Sequence, residues 1–372
     1  MHPSKERIEI VDIVRGFALF GMLLANVGVF THTDNGSLNN IASNIYSLFI
    51  VNKFYVIFAM LFGLSFYIFM SRPQNDEYTF AKRTFILLII GLIHLIFIWH
   101  LDILHAYALV GFLLLLFFHM ELKSIKKWII IMFLLDIALA SYFSSYIMEY
   151  LLQPTAKSLI DSYSAVSYLE NLEFTFMNFS NQLVNTLVYI PRYLFLFLIG
   201  LYIGKSGLYA QTKERQWEIK NICSLTLAGT IIFLVLWMLS VQYNFGDHFT
   251  DPVIRVYNFF LGSSYITLLV LAYHKFKNNY IWERFKVIGK MTLTSYLSHS
   301  IIYLILFYEF NLGMYYEYPT TIVPAIALPL FFLQAEISRL WLNRFSQGPV
   351  EIVWRYFTYG KRKQQNITAI EK

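Results

Sequence analysis

The chain has 372 residues, of which 57% are hydrophobic and 14% are charged, and its mean hydropathy is +0.53. Soluble domains carry about 25% charged residues, so this composition excludes a water-soluble globular fold. The formal net charge is +6, but in a membrane chain it is the placement of positive residues that matters, and no nucleic-acid partner is expected.

Apolar runs long enough to cross a bilayer recur along the chain. They predict an all-α membrane bundle of about ten transmembrane helices, at 10–31, 53–71, 83–100, 103–119, 127–148, 183–204, 221–241, 254–274, 286–308 and 321–341. The apolar run 85–118 must form two of these helices. As one helix it would measure about 51 Å, against a hydrocarbon core of about 30 Å. We therefore expect a turn at 100–104.

Lysine and arginine residues fall mainly on one side of this ten-span arrangement. The two termini and the even-numbered connections hold 24 of the 29. The positive-inside rule makes this side, with both termini, cytoplasmic. Residues 1–31 have features of a signal peptide, but Arg15 interrupts the apolar stretch and an even number of spans requires this helix. We expect one transmembrane domain over residues 1–360 and a short, disordered cytoplasmic tail at 361–372.

Asp12, Arg15 and Asn26 are polar residues within the first span. Asp12 and Arg15 are three residues apart, so they share one helix face near the cytoplasmic end. Arg15 either pairs with Asp12 within the helix or meets the phosphate of an anionic ligand. All three residues are candidates for substrate binding.

A second polar group lies where the third and fourth spans meet on the outer side. It consists of His94, His100, Asp102 and His105. A carboxylate beside an imidazole orients the ring and raises its basicity, as general base catalysis requires. The alternative interpretation is a polar cap on the hairpin. The spacing matches no recognised metal site, and the single cysteine, Cys223, excludes cysteine-based zinc sites, so no metal is predicted.

Four ionisable residues are predicted at similar depth near the middle of the membrane. They are His94, Asp136, Arg192 and His299. Pro191 precedes Arg192 and is expected to distort the sixth span. Glu336 and Arg339 are interpreted as a structural pair, and Gly200 and Gly204 as a site of close helix packing.

Several blocks of the sequence resemble the bacterial DUF418 (YeiB-like) membrane proteins. The opening block 7–26, with Asp12, Arg15 and Asn26, is followed in order by similar blocks at 53–63, 94–107, 288–297 and 348–360, the last two within a C-terminal family block of about 220–360. One position departs from the pattern, because the family often has Gln where this chain has His299. The resulting Ser295-Tyr-Leu-Ser-His299 is similar to an element of the acyltransferase-3 proteins.

The resemblance implies a place in a wider transmembrane acyltransferase superfamily, which includes heparan-α-glucosaminide N-acetyltransferase. Those proteins are taken to acylate a sugar on the far side of the membrane with cytosolic acyl-CoA. The resemblance also implies a multi-pass protein of the bacterial cell membrane. Because folds host many activities, the step from family to reaction is an analogy.

The leading functional hypothesis is therefore an acyltransferase in the lipid bilayer. Acyl-CoA would act as co-substrate, with no bound cofactor, and would dock near Arg15, while an envelope glycan or lipid would present a hydroxyl or amine outside. His100 or His94, oriented by Asp102, would deprotonate the acceptor or briefly carry the acyl group, with His299 as an alternative base. Candidate substrate-binding residues are Asp12, Arg15, Asn26, His105 and Arg192. The competing hypotheses are a transporter or flippase for an anionic solute or lipid-linked intermediate, and a non-catalytic membrane partner protein.

Overall fold

A computed structural model describes residues 5–31, 37–150, 163–315 and 317–370. These residues form fourteen α-helices and no strand. The helices are α1 (Lys5–Val27), α2 (Ser37–Phe49), α3 (Phe54–Met70), α4 (Glu77–Phe97), α5 (Leu104–Leu113), α6 (Leu122–Tyr150), α7 (Tyr168–Val188), α8 (Ile190–Lys205), α9 (Gln216–Gln242), α10 (Asp247–Lys275), α11 (Ile281–Lys290), α12 (Thr292–Phe307), α13 (Val323–Leu342) and α14 (Pro349–Ile370).

Six stretches of the described chain are long and apolar enough to cross a membrane. They are Glu9–Phe30, Asn40–Met70, Glu77–Phe97, Gln216–Gln242, Asp247–Lys275 and Thr320–Leu342. A seventh exists if α7 and α8, which are bent by 51° at their junction, count as one span. Leu104–Phe117 and Thr292–Phe307 are apolar but shorter. The chain thus has the architecture of a helical membrane protein, and the number of ten spans stays a prediction.

The turn expected at 100–104 is present, since α4 ends at Phe97 and α5 begins at Leu104. Gly91 allows the two helices to lie very close, because a Cβ at this position would be 2.4 Å from the backbone nitrogen of His105. The backbone nitrogens of Ile98 and Trp99 both bond to the carbonyl of His94, which closes the end of α4. The hairpin therefore brings His94 next to the residues that follow it.

The predicted span 286–308 is wrong at its start. Met291 has non-helical dihedral angles (φ −115°, ψ 41°) and separates α11 from α12. Helix α11 packs directly on α1 through two glycines. A Cβ at Gly289 would lie 1.8 Å from the carbonyl oxygen of Asp12, and a Cβ at Gly16 would lie 1.9 Å from that of Phe285. This contact fixes α11, so the chain changes direction at Met291 before it enters α12.

Close packing at Gly200 is confirmed. A Cβ at Gly200 would lie 1.9 Å from the carbonyl oxygen of Met60, so α8 and α3 meet backbone to backbone. The distortion expected at Pro191 is also present, at the bend between α7 and α8. At the C-terminal end, Gly360 has a left-handed conformation (φ 71°) and kinks α14. The helix extends beyond this kink to Ile370, and the short cytoplasmic tail at 361–372 stays a prediction.

Candidate functional site

Asp102 lies between two histidines in the turn that joins α4 to α5. Its Oδ1 is 2.7 Å from Nδ1 of His94, and its Oδ2 is 2.9 Å from Nδ1 of His105. The backbone nitrogen of His105 also donates to Oδ2, at 2.8 Å. All three side chains are buried. The carboxylate therefore fixes both imidazole rings.

The hydrogen bonds of Asp102 determine which nitrogen of each ring is available. An ionised carboxylate only accepts, so the Nδ1 atoms of His94 and His105 carry the protons. In a neutral ring, the lone pair then resides on Nε2. Nε2 of His105 is 3.0 Å from the hydroxyl of Thr186. Nε2 of His94 has no hydrogen-bond partner among the described residues. His94 is thus oriented by a carboxylate and has a free basic nitrogen, as a general base requires.

The expected pairing of Asp102 with His100 is not what the structure shows. The imidazole of His100 packs against Tyr163 and Phe174, with ring centroids 5.4 Å and 5.9 Å away. The two oxygens of Asp102 bond instead to His94 of α4 and His105 of α5. The carboxylate of Asp102 therefore orients His94 rather than His100.

Tyr296 of α12 lies next to the His94–Asp102 pair. Its hydroxyl is 3.5 Å from Oδ1 of Asp102 and accepts a bond from the backbone nitrogen of Ile103 at 3.4 Å. Its ring centroid is 5.4 Å from that of His94. Sequence reasoning did not single out Tyr296, although it lies within the block 288–297 that carries the family resemblance.

A basic cavity of about 390 Å³ has Tyr296 in its lining. The cationic side chains that line it come from four different parts of the chain: Arg15, Arg72, Arg83, Lys290 and Arg355. Glu351 is the one acidic residue in the described lining. Such an arrangement suits a multiply charged anion, because arginine binds phosphate oxygens through two parallel bonds.

Arg15 forms the predicted pair with Asp12 and also lines the basic cavity. Its Nη1 bonds to Oδ1 of Asp12 at 2.9 Å, which is the predicted pair within the helix, and its Nη2 bonds to Oγ of Ser65 at 2.6 Å. The side chain remains 25% exposed and lines the basic cavity. Asp12 and Ser65 therefore hold the guanidinium in place at the wall of the cavity.

His299 lies on α12, on the face that also carries Ser295 and Tyr303 at four-residue spacing. Its Nε2 bonds to the side-chain oxygen of Gln334 at 2.7 Å, whereas its Nδ1 has no partner in the described part of the chain. The Oγ of Ser295 is likewise buried and without a described partner. Asn26 lies beside the hydroxyl of Tyr303. This face of α12 offers neutral polar groups to a ligand.

Arg192 and Asp136 bond to residues other than His94 and His299. The guanidinium of Arg192 bonds to the hydroxyl of Tyr55 and lies over its ring, 4.9 Å from the centroid. Asp136 pairs with Arg255 at 2.8 Å. Similar depth therefore does not bring the four ionisable residues into one site. The predicted pair of Glu336 with Arg339 is confirmed, at 2.8 Å.

These features define a class of protein. It is a helical membrane protein in which a carboxylate holds a histidine next to a basic cavity. Comparison with known sequences gives the family. The profile of a family described as "Protein of unknown function (DUF418)" matches residues 203–361. The chain belongs to this DUF418 (YeiB-like) family.

Relatives match along nearly the whole chain. "Uncharacterized protein YxaH" of Bacillus subtilis (strain 168) is 31% identical over 392 aligned positions, which cover 96% of this chain and 95% of the relative. "Uncharacterized protein YeiB" of Escherichia coli (strain K12) is 25% identical over 378 positions, which cover 95% of this chain and 96% of that protein. Neither name states an activity, and the site is the remaining source of information about function.

Proposed function

We propose that the protein is a transmembrane acyltransferase that moves an acyl group from acyl-CoA to a hydroxyl or amine acceptor. One observation carries this proposal. The basic cavity and the His94–Asp102 pair meet at Tyr296, which lines the cavity and also lies 3.5 Å from Asp102. This contact supports a phosphate-bearing donor bound next to a catalytic base.

The cavity fits the charged part of the donor. Acyl-CoA carries several phosphate charges, and five cationic side chains line a single cavity. Arg15 is held by Asp12 and Ser65, so less side-chain freedom is lost when it binds phosphate. Tyr107, Ile103 and Tyr296 also line the cavity, and their uncharged side chains suit an uncharged chain that leads the thioester towards His94.

His94 would supply the base. Its Nε2 takes the proton of the acceptor hydroxyl or amine while the acceptor oxygen or nitrogen bonds to the thioester carbonyl carbon. The carbon–sulfur bond then breaks, and the leaving thiolate receives the proton from the imidazolium. Asp102 stabilises the imidazolium through the 2.7 Å bond to Nδ1. Such positioned proton transfer contributes about 10²–10⁴-fold to rate.

The neutral polar face of α12 would receive the acceptor. His299 and Ser295 have buried polar atoms without partners in the described residues. Buried polar atoms are costly unless they bond to something, so a ligand that carries hydroxyl or amine groups is the natural partner. An envelope glycan or lipid is proposed as the acceptor by analogy with the wider acyltransferase superfamily.

The proposal includes the ten-span topology with both termini in the cytoplasm of a bacterial cell. Four of the five cationic lining residues, Arg72, Arg83, Lys290 and Arg355, belong to the connections or terminus that the positive-inside rule assigns to the cytoplasm. The donor would then enter from the cytoplasm. The acceptor would approach from the opposite side of His94.

The test compares cells that contain the protein, its His94→Ala variant or no copy at all. Mass spectrometry of envelope glycans and lipids should reveal a product heavier by one acyl group only with the active protein. The control is His119→Ala, because His119 is exposed and pairs with Glu77 at the surface. In proteoliposomes with acyl-CoA and the identified acceptor, free thiol should appear in step with product. Movement of a solute without thiol release would replace the proposal with a transporter.

A further inference from the structure

The C-terminal helix α14 forms one wall of the basic cavity. Glu351, Trp354, Arg355 and Tyr359 all belong to its stretch before Gly360 and line the cavity. The helix also packs against both α4 and α12. Helix α4 carries His94 and α12 carries Tyr296. Residues at the end of the sequence therefore touch both helices that build the candidate site.

Glu351 caps the start of α12. Its Oε1 accepts from the backbone nitrogens of Leu293 and Thr294, at 2.7 Å and 3.1 Å. Its Oε2 accepts from the hydroxyl of Thr294, at 2.5 Å. The helical conformation is interrupted at Met291. These nitrogens therefore belong to the first turn of a new helix and have no hydrogen-bond partner within it. A carboxylate is also favoured by the positive end of the helix dipole.

Trp354 fastens α14 to α4. The guanidinium of Arg83 stacks on the indole ring, 3.6 Å from the ring centroid, and the indole nitrogen donates to the carbonyl of Arg83 at 2.8 Å. The hydroxyl of Tyr359 donates to the side chain of Asn75, just before α4 begins. These contacts attach the helix at the end of α4 opposite to His94.

The apolar contacts under α14 join the same two helices. Leu87 of α4 and Leu293 of α12 share a buried cluster with Val350 and Trp354 packed against it. Leu87 lies about two turns before His94, and Leu293 lies about one turn before Tyr296. A movement of α12 relative to α4 at this cluster would therefore be passed on to the distance between Tyr296 and His94.

We infer that α14 is a strap that holds α12 against α4, and that Glu351 is a positioning residue for Tyr296. Through α12, Glu351 keeps the hydroxyl of Tyr296 beside Asp102 and the ring of Tyr296 beside His94. The consequence for acyl transfer rests on the proposed function. The structural part of the inference does not, since it concerns only how Glu351 affects the surroundings of His94.

The experiment records ¹⁵N NMR spectra of histidine-labelled protein in lipid nanodiscs, without donor or acceptor. The His94 ring signal is assigned by its loss in a His94→Asn variant. Glu351→Ala should displace this signal, because loss of a helix cap changes an equilibrium by about fivefold. Glu351→Gln keeps an acceptor oxygen and should restore most of the wild-type position. Trp354→Leu should displace the signal in the same sense, since it releases the strap from α4.

Glu336→Ala is the matched control. Glu336 is a second glutamate with ion pairs to two arginines, Arg284 and Arg339, but it does not cap α12. Its removal should leave the His94 signal in place. An unmoved His94 signal in Glu351→Ala, or equal displacement by Glu336→Ala, would overturn the inference. If Glu351→Ala does not fold, Trp354→Leu decides the inference by the same signal, and an unmoved His94 signal in that variant overturns it.

Activity separates this inference from the proposed function. If acyl transfer is found, Glu351→Ala should lower the turnover number about five- to tenfold at saturating donor, and Glu351→Gln should recover it. If no variant transfers an acyl group but the His94 signal moves as expected, the acyltransferase proposal fails and the positioning role stands. If transfer occurs and the signal stays fixed, the positioning role fails alone.

Discussion

His94 Nδ1 lies 2.7 Å from Oδ1 of Asp102, across a turn that reverses the chain between α4 and α5. Both side chains are buried, and Nε2 of the same ring is without a partner in the described part of the chain. A purely structural cap would be expected to use both ring nitrogens, as His105 does with Asp102 and Thr186. The free nitrogen is what sets His94 apart from its neighbour.

The first prediction concerns this pair. His94→Ala should lower acyl transfer by roughly 100-fold or more while the protein remains folded, because the base is removed. Asp102→Asn should have a similar effect, and the double variant should be little worse than either single one, since the two groups act as a unit. Rates of thiol release, together with thermal melting in detergent, measure activity and folding separately.

His100→Ala is the comparison for that prediction. His100 packs against Tyr163 and Phe174 and lies outside the bonds of Asp102. We expect a lower melting temperature with most of the activity per folded molecule retained. Full activity in His94→Ala, or a loss confined to His100→Ala, would contradict the assignment of the base.

The second prediction concerns the donor. Arg15→Ala should weaken binding of CoA by at least about tenfold, because a charge-assisted bond to phosphate is lost. Arg15→Lys should recover only part of the affinity, since an ammonium cannot form two parallel bonds. Isothermal titration calorimetry with purified protein measures both.

Arg215→Ala provides the control for the binding experiment. Arg215 pairs with Glu218 and does not line the basic cavity. Its removal should leave the affinity for CoA within about twofold, because exposed pairs contribute little. Equal affinities of wild type and a folded Arg15→Ala variant would leave Arg15 with only its structural bond to Asp12.

Features of the site that involve residues close together in sequence could be predicted, whereas contacts between distant residues could not. The pairs of Arg15 with Asp12 and of Arg339 with Glu336 follow from a spacing of three residues on a helix. The α4–α5 turn follows from the thickness of a bilayer. The choice between His94 and His100 depends on the backbone path of the turn, which no periodicity encodes.

Contacts between distant parts of the chain could not be predicted from the sequence for a different reason. Glu351 caps a helix whose first turn lies more than fifty residues earlier. The break at Met291 that creates this helix start lies within a run that reads as one continuous span. It depends on Gly289 packing on Asp12, a contact between two distant segments. Tyr296 was therefore visible as part of a motif but not as a neighbour of Asp102.

The third prediction tests topology in a Cys223→Ser background. A cysteine introduced at Asp247 should react with an impermeant thiol reagent from outside the cell. Cysteines at Gln74 and Gln211 should react only after the membrane is made permeable. All three positions are exposed, so accessibility of the side chain does not distinguish them. Labelling at Asp247 only from the cytoplasmic side would require two of the ten spans to move.

The last prediction concerns the packing on which the site is built. Gly200→Ala should destabilise the protein by about 1–3 kcal/mol or more, because its Cβ would meet the carbonyl of Met60 and the helices would have to separate. Gly204→Ala should cost less. Its Cβ would come within 2.6 Å of side-chain atoms of Tyr67, a less severe overlap than the 1.9 Å between a Cβ at Gly200 and the carbonyl oxygen of Met60. Thermal unfolding of both variants in the same detergent measures the difference. Because α3 also carries Ser65, which holds Arg15 at 2.6 Å, Gly200→Ala should weaken CoA binding as well, whereas Gly204→Ala should not. Equal melting temperatures for the two variants would show that α3 and α8 are not held as closely as the backbone contact requires.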